Sequence, residues 1–135
     1  LGAAGIGVTY NASGEYTAGQ TGVFFGIMPP EPDRVVVVNV TPMTDDPGNP
    51  WGLVMVQLAM RGLPGNPLDV DDLASAIKTP LHGLTGVWFG SVYARQVYRK
   101  SSAPMGQDEA QRSIRADKYY LDCDYQPTPA LPGWN

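Results

Sequence analysis

Between Pro67 and Leu84 the chain carries an apolar stripe at helical spacing. Val70, Leu73, Ala74, Ile77, Leu81 and Leu84 fall on one side, with polar residues between them. The spacing predicts a helix over this stretch. Asp69 stands before the stripe as an N-cap, and Asp71 and Asp72 place negative charge where the helix dipole favours it. Lys78 and His82 lie toward the other end, and Gly83 is a C′ stop. Pro80 removes a backbone hydrogen bond and clashes one turn back, so the last turn is expected to be kinked or separate.

On both sides of this helix the period changes to two. Arg34–Thr41, RVVVVNVT, is the clearest strand, and Gly22–Met28 is a shorter one ended by Pro29, Pro30 and Pro32. In Gly52–Gly62, Val54, Val56, Leu58 and Met60 alternate with Leu53, Met55, Gln57 and Ala59, and both sets are mostly apolar. Such a strand is either central and covered twice, or one of its faces meets another subunit. Gly86–Lys100 reads as one extended stretch with a bulge or bend at Gly90, Ser101–Gln111 as a polar loop, and Arg112–Tyr125 as the last strand. In that strand Tyr119, Leu121, Cys123 and Tyr125 share a face opposite Lys118, Asp122 and Asp124. The opening LGAAGIG reads as the last turn of a helix whose beginning precedes the sequence; the alternative, the remnant of a cleaved leader, has no basic region or long apolar run behind it. The expected architecture is α+β: a largely antiparallel β-sheet with the central helix, and a truncated N-terminal helix, packed on one face. Residues 1–126 make one domain. Residues 127–135, PTPALPGWN, make an extended Pro-rich C-terminal arm with Trp134 at its tip, read either as an anchor on a neighbour or as part of an unengaged tail.

Composition narrows the function classes. A net charge of −4, with no run of Lys or Arg, is a poor match to phosphate backbones. The single cysteine, Cys123, rules out an intramolecular disulfide framework and any multi-cysteine metal site, and its place in an alternating strand makes it a buried thiol. The 16 glycines and 13 prolines cluster between the apolar runs, which favours shaped loops over general disorder. No stretch has the roughly 20 apolar residues of a membrane span.

A search for catalytic patterns finds little. The single histidine, His82, has no partner near it in sequence and suits a capping or solvated role at the helix end. Asp45 and Asp46 lie in a turn and Asp69, Asp71 and Asp72 open a helix; both places favour Asp for backbone reasons, and the calcium-loop spacing is missing. Ser101 and Ser102 are not in a G-x-S-x-G elbow, and GAAGIG lacks the strand and acidic partner of a dinucleotide site. Tyr93, Tyr98, Tyr119 and Tyr120 are packing residues of strands rather than a stacking platform for single-stranded nucleic acid. The expectation is a protein that is not an enzyme and takes no cofactor or metal.

Four stretches carry a resemblance: PDRVVVVNVTPMTDDP (32–47), VQLAMRG (56–62), VDDLASAIKTPLHGL (70–84) and VYRKSSAPMGQDEAQRSIRADKYYLDC (97–123). In this order they resemble the minor capsid or tail-terminator proteins of long-tailed bacteriophages, over about two-thirds of the chain. The most specific part is S-S-A-P-x-G-x-D followed by R-x-D-x-Y-Y; Pro80 departs from the pattern. The resemblance implies a structural virion protein at the head–tail junction, assembled in the host cytoplasm. It would form a homo-oligomeric ring, a hexamer, that caps the tail tube protein, ends its polymerisation and offers a docking surface to the head–tail connector. DNA would pass through its lumen without specific binding, and no membrane is involved. Carried onto this chain, the motif makes Ser101, Ser102, Ala103, Pro104, Gly106 and Asp108 a candidate contact with a neighbouring subunit or the tube. The competing reading of these six is a hairpin shaped by turn geometry. Arg112 and Arg115 either pair with acidic residues across a subunit boundary or lie on a solvated strand face. A head–tail connector or head-completion protein is the alternative function, and a soluble binding domain with an unrecognised site is a more distant one.

Overall fold

Val35–Val38 are β-branched residues that extend readily and pack well on a pleated surface. They form part of the sheet's middle. The computed structural model describes residues 8–11, 13–17, 19–43, 51–89 and 92–124. Along these the chain forms β1 (Val8–Thr9), β2 (Thr21–Phe25), β3 (Val35–Pro42), β4 (Trp51–Pro64), a helix α1 (Asp69–Leu81), β5 (Thr85–Phe89), β6 (Val92–Gln107) and β7 (Arg112–Asp124). All seven strands join one sheet in the order β1-β2-β3-β4-β7-β6-β5. β1, β2 and β3 run parallel, and the remaining pairs are antiparallel. The fold is broadly α+β as expected, but strand predominates and the sheet is mixed.

Residues paired directly across two strands share a face. One face carries Val36, Val54, Leu58, Met60, Tyr119, Cys123, Ala94 and Val97, and α1 lays Val70, Leu73, Ala74 and Ile77 on it. These are the stripe positions, all buried, and Leu81 and Leu84 pack at the rim of the same cluster. Burial of each larger aliphatic side chain of this kind contributes roughly 1.5–3 kcal/mol. Among the described residues no helix covers the opposite face. There Val37 is buried in register with Phe24, against which the Tyr16 ring packs at a tilt, with ring centroids 5.2 Å apart. Leu53, Met55, Gln57 and Ala59 of β4 are only half-buried on that side.

Several local expectations change. Asp69 is not the N-cap: Leu68 holds that position without a side-chain bond, and Asp69 is the first helical residue. Its Oδ2 instead accepts from the Leu63 N–H at 2.9 Å and from Arg34 Nε at 2.9 Å, which ties the helix start to the end of β4 and to the residue before β3. The helix runs through Pro80 to Leu81, and the His82 N–H reaches Lys78 O at 2.8 Å, so no separate last turn forms. Pro80 removes only one bond, close to an end where carbonyls lack helical donors anyway. Gly83 follows with φ +89°, as a C′ glycine does. The stretch 86–100 is not one strand: β5 and β6 pair antiparallel, with Phe89 opposite Val92. Ser101–Gln111 is not a loop throughout, since β6 continues to Gln107 and the chain turns only between Asp108 and Gln111. Gly90, the helix expected from LGAAGIG and the 127–135 arm lie outside the described residues.

Gly62 shows how closely β4 passes the helix. A Cβ there would meet the Val70 backbone N at 2.8 Å and Asp69 Oδ2 at 3.1 Å, and the first of these belongs to the main chain. Gly62→Ala is therefore expected to lower the unfolding free energy by about 1–3 kcal/mol in urea titration. Gly19→Ala, where nothing lies within 4 Å, should leave it unchanged.

Candidate functional site

The motif residues converge on the helix-bearing face through strand register. Ser102 on β6 lies opposite Asp117 on β7, and Asp117 lies opposite Leu58 on β4, which puts an aspartate into the layer beneath α1. Asp117 is 0% exposed. A carboxylate so placed needs partners, because burying an unpaired charge is costly. Ser102 Oγ donates a short hydrogen bond to Asp117 Oδ1, and Arg99 Nη1 donates to Oδ2 at 3.4 Å. Arg115 lies 3.7 Å from Oδ1 and forks outward, with Nε donating to Ser102 Oγ at 2.8 Å and Nη1 to Asp71 Oδ1 on α1 at 2.9 Å. One buried carboxylate thus joins β6, β7 and the first turn of the helix.

A second cluster closes the sheet end. Asp108 accepts from the Arg112 amide at 2.9 Å, from Arg112 Nε at 2.8 Å and from the Ala110 amide at 3.0 Å. Burial works to raise the Asp108 pKa, but these hydrogen bonds, those from Arg112 first, outweigh it and hold the carboxyl below its ordinary value. Arg112 Nη1 also reaches Pro30 O at 2.8 Å and Asp33 Oδ1 at 3.1 Å. Arg61, 3% exposed, donates to Asp33 O and Pro32 O at 2.9 and 2.7 Å. Burial, and after it the charge of Arg112, lowers its pKa. The two guanidiniums pin the 30–33 strap to the ends of β4 and β7.

These positions can be set against the candidate residues. Ser101, Ala103, Pro104 and Gly106 are exposed positions on the outer half of β6, and Asp108 alone sits in the turn. Arg112 and Arg115 take acidic partners within their own chain, neither on a bare solvated face. Trp134 lies outside the described residues. Asp117 was overlooked as a functional position although it is the D of R-x-D-x-Y-Y. Stepping back by two from Cys123 through Tyr119 reaches it, on the buried face. Between Pro67 and Val70 on one side and Pro104, Gly106 and Ile114 on the other runs a groove of about 350 Å³, with Asp71 and Arg115 on its wall.

Little in this arrangement resembles reaction chemistry. Ser102 uses its hydroxyl within the network, and His82 Nδ1 accepts the Arg99 amide at 2.9 Å. Among the described residues no group of three His, Cys, Asp or Glu is placed to hold a metal ion. The arrangement fixes strands and leaves a groove of mixed lining at their end. A family model for bacteriophage tail terminator proteins matches residues 1–125. The chain belongs to that family. No curated protein matches it. Its place is accordingly the tail of a virion, as a structural protein.

In this tail terminator the R-x-D-x-Y-Y strand delivers one more unusual group. The Tyr119 hydroxyl is buried without a hydrogen-bond partner, and burial, then Asp117, pushes its pKa up to about 12. The folded protein therefore holds this proton through a pH range in which an unfolded tyrosine, at about 10, has lost it. Stability should fall as pH rises from 10 to 12, by up to about 2.5 kcal/mol in total. Tyr119→Phe should remove that alkaline loss and cost little at pH 7, as measured by denaturant titration at both pH values. Asp117→Ala, which takes the carboxylate from Arg99 and the acceptor from Ser102 while Arg115 keeps Asp71, is expected to cost about 1–3 kcal/mol in the same assay.

Proposed function

We propose that this chain closes into a ring of six that caps the finished tail tube, ends tube polymerisation and presents the surface on which the head–tail connector docks. The single observation that carries this reading is the family match over residues 1–125. Physical features support it. The sheet leaves half-buried apolar residues of β4 opposite the helix, and large apolar side chains stay exposed at both strand ends. A ring needs contacts made by two different surfaces of each copy, related by a rotation that closes. A chain of net charge −4 would let DNA pass through the lumen with little attraction for phosphates. The ring would assemble in the host cytoplasm and remain at the head–tail junction.

Removing the protein from the infecting phage tests this. Tails of uncontrolled, mostly excessive length by electron microscopy are expected. Tails of normal length that fail to join heads would instead assign the chain to the connector.

A further inference from the structure

Exposed large apolar side chains gather at the two ends of the sheet. Tyr10, Phe25, Ile27, Val40 and Met43 lie where β2 and β3 finish; Leu63, Leu68 and Met105 lie where β4 and β6 finish and α1 begins. β4 and β6 run opposite to β3, so these ends are opposite ends of the molecule. At the first, Phe25 and Val40 stand on the helix-bearing face beyond the cover of α1, 63% and 60% exposed, and Tyr10 packs edge-on against Phe25 at 5.5 Å. At the second is the groove between the helix start and the β6–β7 hairpin, whose two charges, Asp71 and Arg115, pair with each other at 2.9 Å.

We propose that the Tyr10–Phe25–Ile27–Val40 cluster of one copy seats against the groove end, with Leu68 and Met105, of the next copy. This rests on the ring reading above and names its contact surfaces. The two surfaces match in chemistry: the four described side chains of the first carry no charge, and among the described residues lining the groove the charges are an internally neutralised pair. They cannot meet within one copy, because β4 alone has 14 residues and spans about 45 Å. Four side chains with these exposures leave on the order of 500 Å² in water, near the upper end for a patch on a monomer. Burying one such surface against another covers about 1,000 Å², where specific protein contacts begin. Two different patches at opposite ends give a head-to-tail contact, which makes a ring where the rotation between copies closes.

The test uses the full chain carrying Ile27→Asp or Leu68→Asp, both exposed positions, with unchanged melting temperature as the control for folding. Native mass spectrometry, with and without purified tail tubes, reads the assembly. Wild type should form rings, and each variant alone should lose them. An equal mixture of the two should give 1:1 pairs and nothing larger, because only the Ile27→Asp groove and the Leu68→Asp apolar cluster remain intact to meet. A variant that dimerises with itself would mean that one patch is self-complementary and would overturn the proposal. Variants that form rings normally but no longer bind tubes would overturn it too, by assigning the cluster to the tube protein. Either result leaves the ring reading standing, whereas wild type that stays monomeric even on tubes sinks both.

Discussion

A helix of 13 residues is about 20 Å long, while seven strands at their usual spacing make a sheet about 29 Å across, and the 16-residue β6 extends about 50 Å. One helix cannot cover such a sheet. α1 covers the middle of one face, where Val36, Leu58, Met60, Val97 and Tyr119 meet its stripe, and leaves the strand ends outside its reach. The opposite face is sheltered at one edge, by Tyr16 on Phe24, and half-open over β4. Much of what remains exposed, including Phe25 and Val40 at one end and Leu68 and Met105 at the other, follows from this mismatch of areas. For an isolated domain such surface is a liability. For the ring subunit we propose, it supplies the contact surfaces.

The buried charges act within that constraint. Asp117 brings no net gain in hydrophobic burial, and a well-packed apolar residue of its size could match it in stability. Its effect is on arrangement: only one register of β6 against β7 brings Ser102 and Arg99 to it, and only one placement of α1 brings Asp71 to Arg115. Asp69 holds the helix start to β4, and Arg61 and Arg112 hold the 30–33 strap to the sheet end. These bonds hold the end of the sheet at which the groove lies.

Features decided by local periodicity were legible in the sequence. The stripe from Val70 to Leu84, the valine strand and the Cys123–Tyr119 alternation each repeat over several residues, and the structure bears them out. Features decided at long range were not. Ser101–Gln107 is rich in turn formers, yet β7 supplies a complete partner strand and bulges at Arg99/Ser101 and Pro104/Gln107 absorb the irregularity, so the stretch extends. The parallel start, β1 beside β2 beside β3, depends on pairings that no pattern within a strand announces. Asp69 looked like a cap because caps favour Asp; it is drawn to a backbone amide and an arginine that only the fold brings near. The motif falls on the β6–β7 hairpin, and the alternation already puts Asp117 on the buried face; the partners that let a carboxylate stay there, Ser102 and Arg99, come from β6 and only the fold brings them near.

An open sheet has edges, and exposed edges invite runaway pairing with other copies. Here β1 is two residues long and β5 five. The outer side of β6 is taken by β5 and Leu84 as far as Val97, and by His82 at Arg99. Beyond that the strand carries Pro104, which has no amide to donate, and Gly106 at φ +83°, with a register shift between Pro104 and Gln107. Extension by backbone pairing is thereby discouraged along the longest open strand edge among the described residues. In the ring we propose, association is left to side-chain surfaces, whose geometry fixes an angle between copies and so allows closure after a set number. A chain that we propose to stop a polymer must itself be unable to start one, and the interrupted edge of β6 gives that requirement a physical basis.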